Sequence, residues 1–177
     1  MHNGHSHRRT ILTAVIAILA AGAFASTAAA LLTSSSGTSQ ARMDNRASTD
    51  PITTTSTTWV GIGSSFLPAT VPNGQSRLFN ARFTAESACY NNPGSLCAVR
   101  IVAIGPGGST EFNPTSGMDF AFDAPGIVHD ESPESHAMER SIRLRGGSYR
   151  IGVQYAVDNP TTKFTLDDWH FALETSL

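Results

Sequence analysis

Two clusters in this 177-residue chain carry side chains able to do chemistry. The first is the acidic stretch His129–Glu139, in which His129, Asp130, Glu131, Glu134 and His136 are all metal-ligand types. Carboxylates suit a hard cation such as calcium and imidazoles suit zinc. The spacing matches neither an EF-hand loop nor a zinc-protease helix, and a solvated acidic loop accounts for the same residues. A hydrolase built on Glu134 and His136 would need a nucleophile. Ser135 is not one for His136, because neighbours along an extended segment point apart. The chain contains no Gly-X-Ser-X-Gly elbow and no phosphate-binding P-loop. The second cluster is Asp167-Asp168. These carboxylates are either ligands for a cation or acceptors for backbone N–H groups left unpaired at a break in a strand.

The element that must position Asp167 and Asp168 is the segment Thr162–Glu174. Phe164 and Leu166 fall on even positions, whereas Trp169, Phe171 and Leu173 fall on odd ones. Side chains alternate faces along a strand, so the buried parity changes at the acidic pair. One extra residue there, a β-bulge, puts both apolar sets on one core face. Upstream, the pattern predicts strands at Trp59–Gly63, Ser76–Glu86, Leu96–Gly105, Ser109–Phe112, Met118–Phe122, Ala137–Arg145 and Ser148–Val157. Pro68 and Pro72 demote the intervening segment to an edge or a loop. Gly146-Gly147 is a hairpin turn signal. Seven to nine short strands with Gly, Pro and Asn punctuation predict an all-β domain over 59–177, an antiparallel β-sandwich that is either jelly-roll-like or immunoglobulin-like.

Ahead of it lie two segments of other composition. Residues 1–32 have a polar start ending in Arg8-Arg9, then 22 uncharged residues from Ile11 to Leu32. That is the layout of a signal peptide or an uncleaved signal anchor, an N-terminal hydrophobic helix long enough to span a bilayer. Arg8-Arg9-Thr10-Ile11-Leu12 fits either the twin-arginine route or an ordinary basic start. Either way the remainder is placed outside the cytoplasm, membrane-held through residues 11–32 only if the leader stays. Residues 33–58 contain 14 Ser or Thr among 26 and read as a disordered linker. Cys89 and Cys97, the only cysteines, bracket a turn, and in an exported protein such a pair is a structural disulfide.

Charge excludes one class of partner. Without the two leader arginines, the chain's 12 basic residues become 10 against 14 acidic ones, a net charge of −4. Lys163 is the sole lysine. Nucleic-acid binding is not expected of such a surface.

Phe164-Thr165-Leu166-Asp167-Asp168-Trp169-His170-Phe171 resembles the last strand of many jelly-roll carbohydrate-binding modules. There an apolar residue precedes Asp-Asp and alternating apolar residues follow. Leu144–Ile151, with its Gly-Gly-Ser-Tyr, resembles the hairpin that often precedes that strand. The resemblance implies glycan binding and a structural calcium held with help from Asp167 or Asp168, and it leaves the sugar-contacting aromatics unplaced among Trp59, Tyr90 and Trp169. The whole layout also resembles exported bacterial proteins built from a signal, a Ser/Thr stalk and a small β domain. The expectation is an exported, non-catalytic module that binds a glycan or cell-envelope component. The alternative is a structural or protein-partner domain displayed at the cell surface.

Overall fold

Two segments of 24 residues, Leu67–Tyr90 and Glu134–Val157, are each a single continuous strand. Straight, each would run roughly 80 Å at a strand's rise per residue. A folded domain of this size has a radius of gyration of about 14 Å. Both strands must therefore bend, and they do so together, which makes two layers from one ladder.

A computed structural model describes residues 39–91, 93–117, 120–125 and 132–176. The leader, the start of the linker, Met118, Asp119 and His129–Glu131 lie outside these. The strands are β1 (Gln40–Ser48), β2 (Ile52–Thr54), β3 (Val60–Gly61), β4 (Leu67–Tyr90), β5 (Cys97–Gly105), β6 (Gly108–Glu111), β7 (Glu134–Val157) and β8 (Lys163–Ser176). They pair antiparallel in the order β1-β8-β4-β7-β5-β6, with β2 added to β8 and β3 to β7. The second half of β4 lies between β8 and the first half of β7, forming one layer. The second half of β7 lies between β5 and the first part of β4, forming the other. Inward side chains of both layers meet in one core, including Phe79, Phe83, Val99, Ile101, Ile151, Val153, Phe164 and Phe171. The rings of Tyr155 and Phe164, from opposite layers, lie 6.0 Å apart. This is an antiparallel β-sandwich.

The bend sits where a hairpin turn was expected. Gly146-Gly147 does not reverse the chain; β7 continues through it as one strand. The β4–β7 ladder jumps from Val71↔Gly147 to Ser76↔Arg145, so Pro72–Gln75 bulge out opposite Gly146. A Cβ on Gly146 would stand 2.9 Å from the Cα of Asn73, and Gly147 has φ +154. Here the glycines allow close backbone approach at a corner. Pro68 and Pro72 are exposed on the part of β4 that pairs on one side only, as edge prolines must be. Phe120–Phe122, expected in a strand, form none, although Cys97 bridges to Asp123 and Phe122 joins the core.

The expected linker, 33–58, is overturned from residue 40 onward. β1 and β2 both lie within it and pair along one edge of β8. Composition predicts poor burial there, and for β1 that holds: none of the side chains Arg42–Ser48 is buried. What orders the segment is the backbone ladder. For such a strand the gain of about 0.5–1.5 kcal/mol per hydrogen bond is offset by about 1–2 kcal/mol per residue of ordering entropy. β2 is held better, with Thr54 buried, Thr53 Oγ1 3.1 Å from Thr165 Oγ1, and the Tyr155 hydroxyl donating to the Thr53 carbonyl at 3.2 Å.

Cys89 and Cys97 form the expected disulfide, joining the end of β4 to the start of β5 and so one layer to the other. Such a bond fits an oxidising, extracytoplasmic compartment. Replacing both cysteines by alanine is expected to lower stability by about 2–3 kcal/mol on the chain-entropy model, read from urea unfolding.

On the outer face of the β8 layer, the Asn80 amide donates to Glu139 Oε1 at 2.7 Å and Arg82 Nε approaches Oε2 at 3.4 Å. First the Asn80 hydrogen bond, then Arg82, holds the Glu139 carboxyl below its ordinary range, against the opposing effect of slight burial. A depressed carboxylate contributes stability above its unfolded pKa and loses it as pH falls through the folded one. The gap in melting temperature between the parent and Glu139→Gln should therefore close on acidification below about pH 4. A gap constant with pH would refute this assignment.

Candidate functional site

The β8 break is where the expectation from parity put it. Asp167 pairs with Glu86 and His170 with Thr84, which leaves Ala85 alone opposite both Asp168 and Trp169. Asp168 takes the extra position in a left-handed conformation, φ +44. Asp167 Oδ1 accepts the Asp168 backbone N–H at 2.8 Å, so one carboxylate serves the bulge itself. Phe164, Leu166, Trp169, Phe171 and Leu173 are consequently all buried in one core.

The edge strand breaks at the same level. Ser48 of β1 pairs with Trp169 and Ile52 of β2 with Leu166, so Thr49–Pro51 leave the ladder opposite the acidic pair. Pro51 has no N–H to give a ladder, and the Asp50 N–H turns back to Ser48 Oγ at 3.0 Å. Between the two breaks an open cavity of about 530 Å³ is lined by Ala47, Ser48, Thr49, Asp168, Trp169 and His170. It presents a carboxylate, an imidazole and two hydroxyls on a scaffold of paired strands. Trp169 is 1% exposed, its ring 6.5 Å from that of Phe83, and its indole N–H has no hydrogen-bond partner among the described residues. The other expected aromatics lie elsewhere and carry cations, Arg100 at 4.4 Å from the Trp59 ring centroid and Lys163 at 4.9 Å from that of Tyr90.

Of the acidic stretch, the described members Glu134 and His136 lie on β7 rather than in a loop. His136 Nε2 is 3.7 Å from Glu134 Oε2. Its Nδ1 is 2.8 Å from Ser87 Oγ, which in turn donates to Asp123 Oδ2 at 2.7 Å. A serine has one hydroxyl proton and an ionised carboxylate can only accept. The proton is therefore on the Asp123 side, and His136 Nδ1–H donates to Ser87. A nucleophile needs the reverse, a base drawing its proton away. Ser87 is also buried, at 1% exposure. The group pins Asp123 and Phe122, whose ring lies 5.6 Å from that of His136, onto β4 and β7. Among the described residues no three His, Cys, Asp or Glu side chains converge to hold a metal ion. Calcium takes six to eight oxygens, and His129, Asp130 and Glu131 of the first cluster lie outside the described residues.

Comparison with known proteins adds little. No protein-family model matches the chain, and no curated protein does. Among solved structures, a carbohydrate-binding module from Cellvibrio mixtus lichenase 5A, in complex with cellotriose, is similar at 15% identity, covering 80% of this chain and 91% of that one, with a TM-score of 0.29. An overlap that loose assigns no role to any residue here.

Sequence reasoning singled out Asp168, as a candidate metal ligand, and passed over Ser48, Thr49 and His170, the other polar residues of the cavity. The first two sit in a Ser/Thr-rich run whose composition hides them. His170 carried one weak signal, its place two residues beyond the parity change. The two aspartates should separate on mutation. Asp167→Ala removes the acceptor for the bulge N–H and should cost about 1–2 kcal/mol. Asp168→Gly relieves a left-handed residue and should be neutral or stabilising by up to about 1 kcal/mol. Equal losses in urea unfolding would contradict the geometry.

Proposed function

We propose that the chain is an exported, non-catalytic β-sandwich that binds a glycan of the cell envelope in the cavity beside the β8 bulge. The observation that carries this reading is the coincidence of the two strand breaks around Asp168, His170, Ser48 and Thr49. Sugar hydroxyls are both donors and acceptors. A carboxylate accepts from two adjacent hydroxyls, and an imidazole or a side-chain hydroxyl supplies the complementary partner. Ala47 gives the cavity an apolar patch beside these polar groups, with the buried Trp169 beneath it. The volume falls within the ordinary range of small-molecule sites. Export is supported by the disulfide and by the leader's composition.

Display of a protein-docking face has less support. It would call for a contiguous apolar patch of some hundreds of Å². Among the described residues the exposed large apolar side chains are Met43, Val60 and Ile104, each on a different strand. The expected test result is binding of the purified domain to isolated cell-wall polysaccharide, with affinity reduced about tenfold or more by Asp168→Asn, a loss of about 1.4 kcal/mol or more. His170→Ala should act in the same direction. Binding unaffected by both substitutions would place the site elsewhere, and no binding to any envelope polymer would end the proposal.

A further inference from the structure

The weakest-held element of the sandwich is also its edge. β1 pairs with β8 along Trp169–Ser176, and its other edge has no partner strand among the described residues. From Arg42 to Ser48 it buries no side chain. Its sole large apolar residue, Met43, is 53% exposed. β8 beneath it is different in kind, with Trp169, Phe171, Ala172 and Leu173 all buried. β1 thus contributes no side chain to the core cluster. Without it, the N–H and C=O groups of β8 that it covers would form a bare strand edge.

From this we infer that β1 is an exchangeable strand, and that the β8 edge accepts the β1 of a second copy of the chain. Three observations select that occupant. The register Arg42↔Thr175 to Ser48↔Trp169 is already satisfied by this sequence, so a second copy can reproduce the same strand pairing. Addition of a second copy to the outside of an intact β1 is disfavoured, because Arg42, Asp44 and Arg46 put charge along that edge, a known guard against edge-to-edge pairing. Finally, β1 and β2 continue one another along β8, joined by Thr49–Pro51 outside the ladder, so the hinge for release is a three-residue break. In the exchanged pair, each cavity would combine Asp168 and His170 of one copy with Ala47 and Ser48 of the other. The inference does not depend on what the cavity binds.

Met43 and Glu174 are register partners at the surface, away from the cavity, and both native cysteines are already paired. Met43→Cys and Glu174→Cys chains, mixed at high concentration and then diluted and oxidised, should give a disulfide-linked heterodimer. Met43→Cys mixed with Ile104→Cys reports random collision, since Ile104 is exposed on β5. The double variant Met43→Cys/Glu174→Cys in one chain should close internally when dilute and give linked dimers after concentration. A mixture yielding no more dimer than the collision control, while the double variant closes internally at every concentration, would overturn exchange. Failure of the double variant to form any linkage would overturn the β1–β8 register itself.

Discussion

Side chains on a β-strand alternate between faces, and β8 has to place five large apolar residues on one face although their spacing in the chain breaks that alternation. The conflict is resolved by one residue. Asp168 takes a left-handed conformation, Asp167 accepts its N–H, and the strand resumes with Trp169 facing the same core as Leu166. β8 lies between the edge strands and β4, so a wrong face at its second half would turn Trp169, Phe171 and Leu173 toward solvent. Much of the hydrophobic stabilisation of the β8 layer rests on that single irregularity.

The irregularity also shapes the surface. The edge strand must follow a partner that has gained a residue, and it does so by leaving the ladder at Thr49–Pro51. A cavity opens where both strands are irregular, with Thr49 and Asp168 at the breaks and the paired residues Ser48 and His170 beside them. Bulges often sit beside sites. The paired corner at Gly146 and Pro72–Gln75 is a second instance of one device. It opens another cavity, lined by Asn73, Gly74, Gln75, Ser76, Arg145 and Gly146. Here, however, the irregularity serves to carry two strands from one layer into the other.

How much of this was legible depended on whether the signal was apolar. The inward sets Phe79, Ala81 and Phe83, then Cys97, Val99, Ile101 and Ala103, then Tyr149 to Val157, were readable because burial imposes a period of two. The bulge was readable for the same reason, as a parity error between Leu166 and Trp169. Gly146-Gly147 was misread because a glycine pair permits a corner as well as a reversal, and only the facing Pro72–Gln75 decides between them. β1 was invisible. Arg42-Met43-Asp44-Asn45-Arg46 has no apolar alternation, and its order comes from backbone groups on β8 that are distant in sequence. The cavity inherited that blindness, since half its lining comes from Ala47, Ser48 and Thr49. Ser87 and Asp123 were likewise unmarked, because nothing local announces that β4 and the 120–125 segment share a hydrogen bond.

The most direct test of the central claim is deletion of Asp168, followed by thermal and urea unfolding monitored through the buried Trp169 indole in a Trp59→Phe background. If the residue is a surplus that restores parity, its loss leaves a regular strand with Glu86, Ala85 and Thr84 each facing one partner. The chain should then unfold cooperatively, with the tryptophan still buried and stability within about 2 kcal/mol of the parent. A deletion variant lacking cooperative unfolding, with its tryptophan exposed to water, would contradict the account.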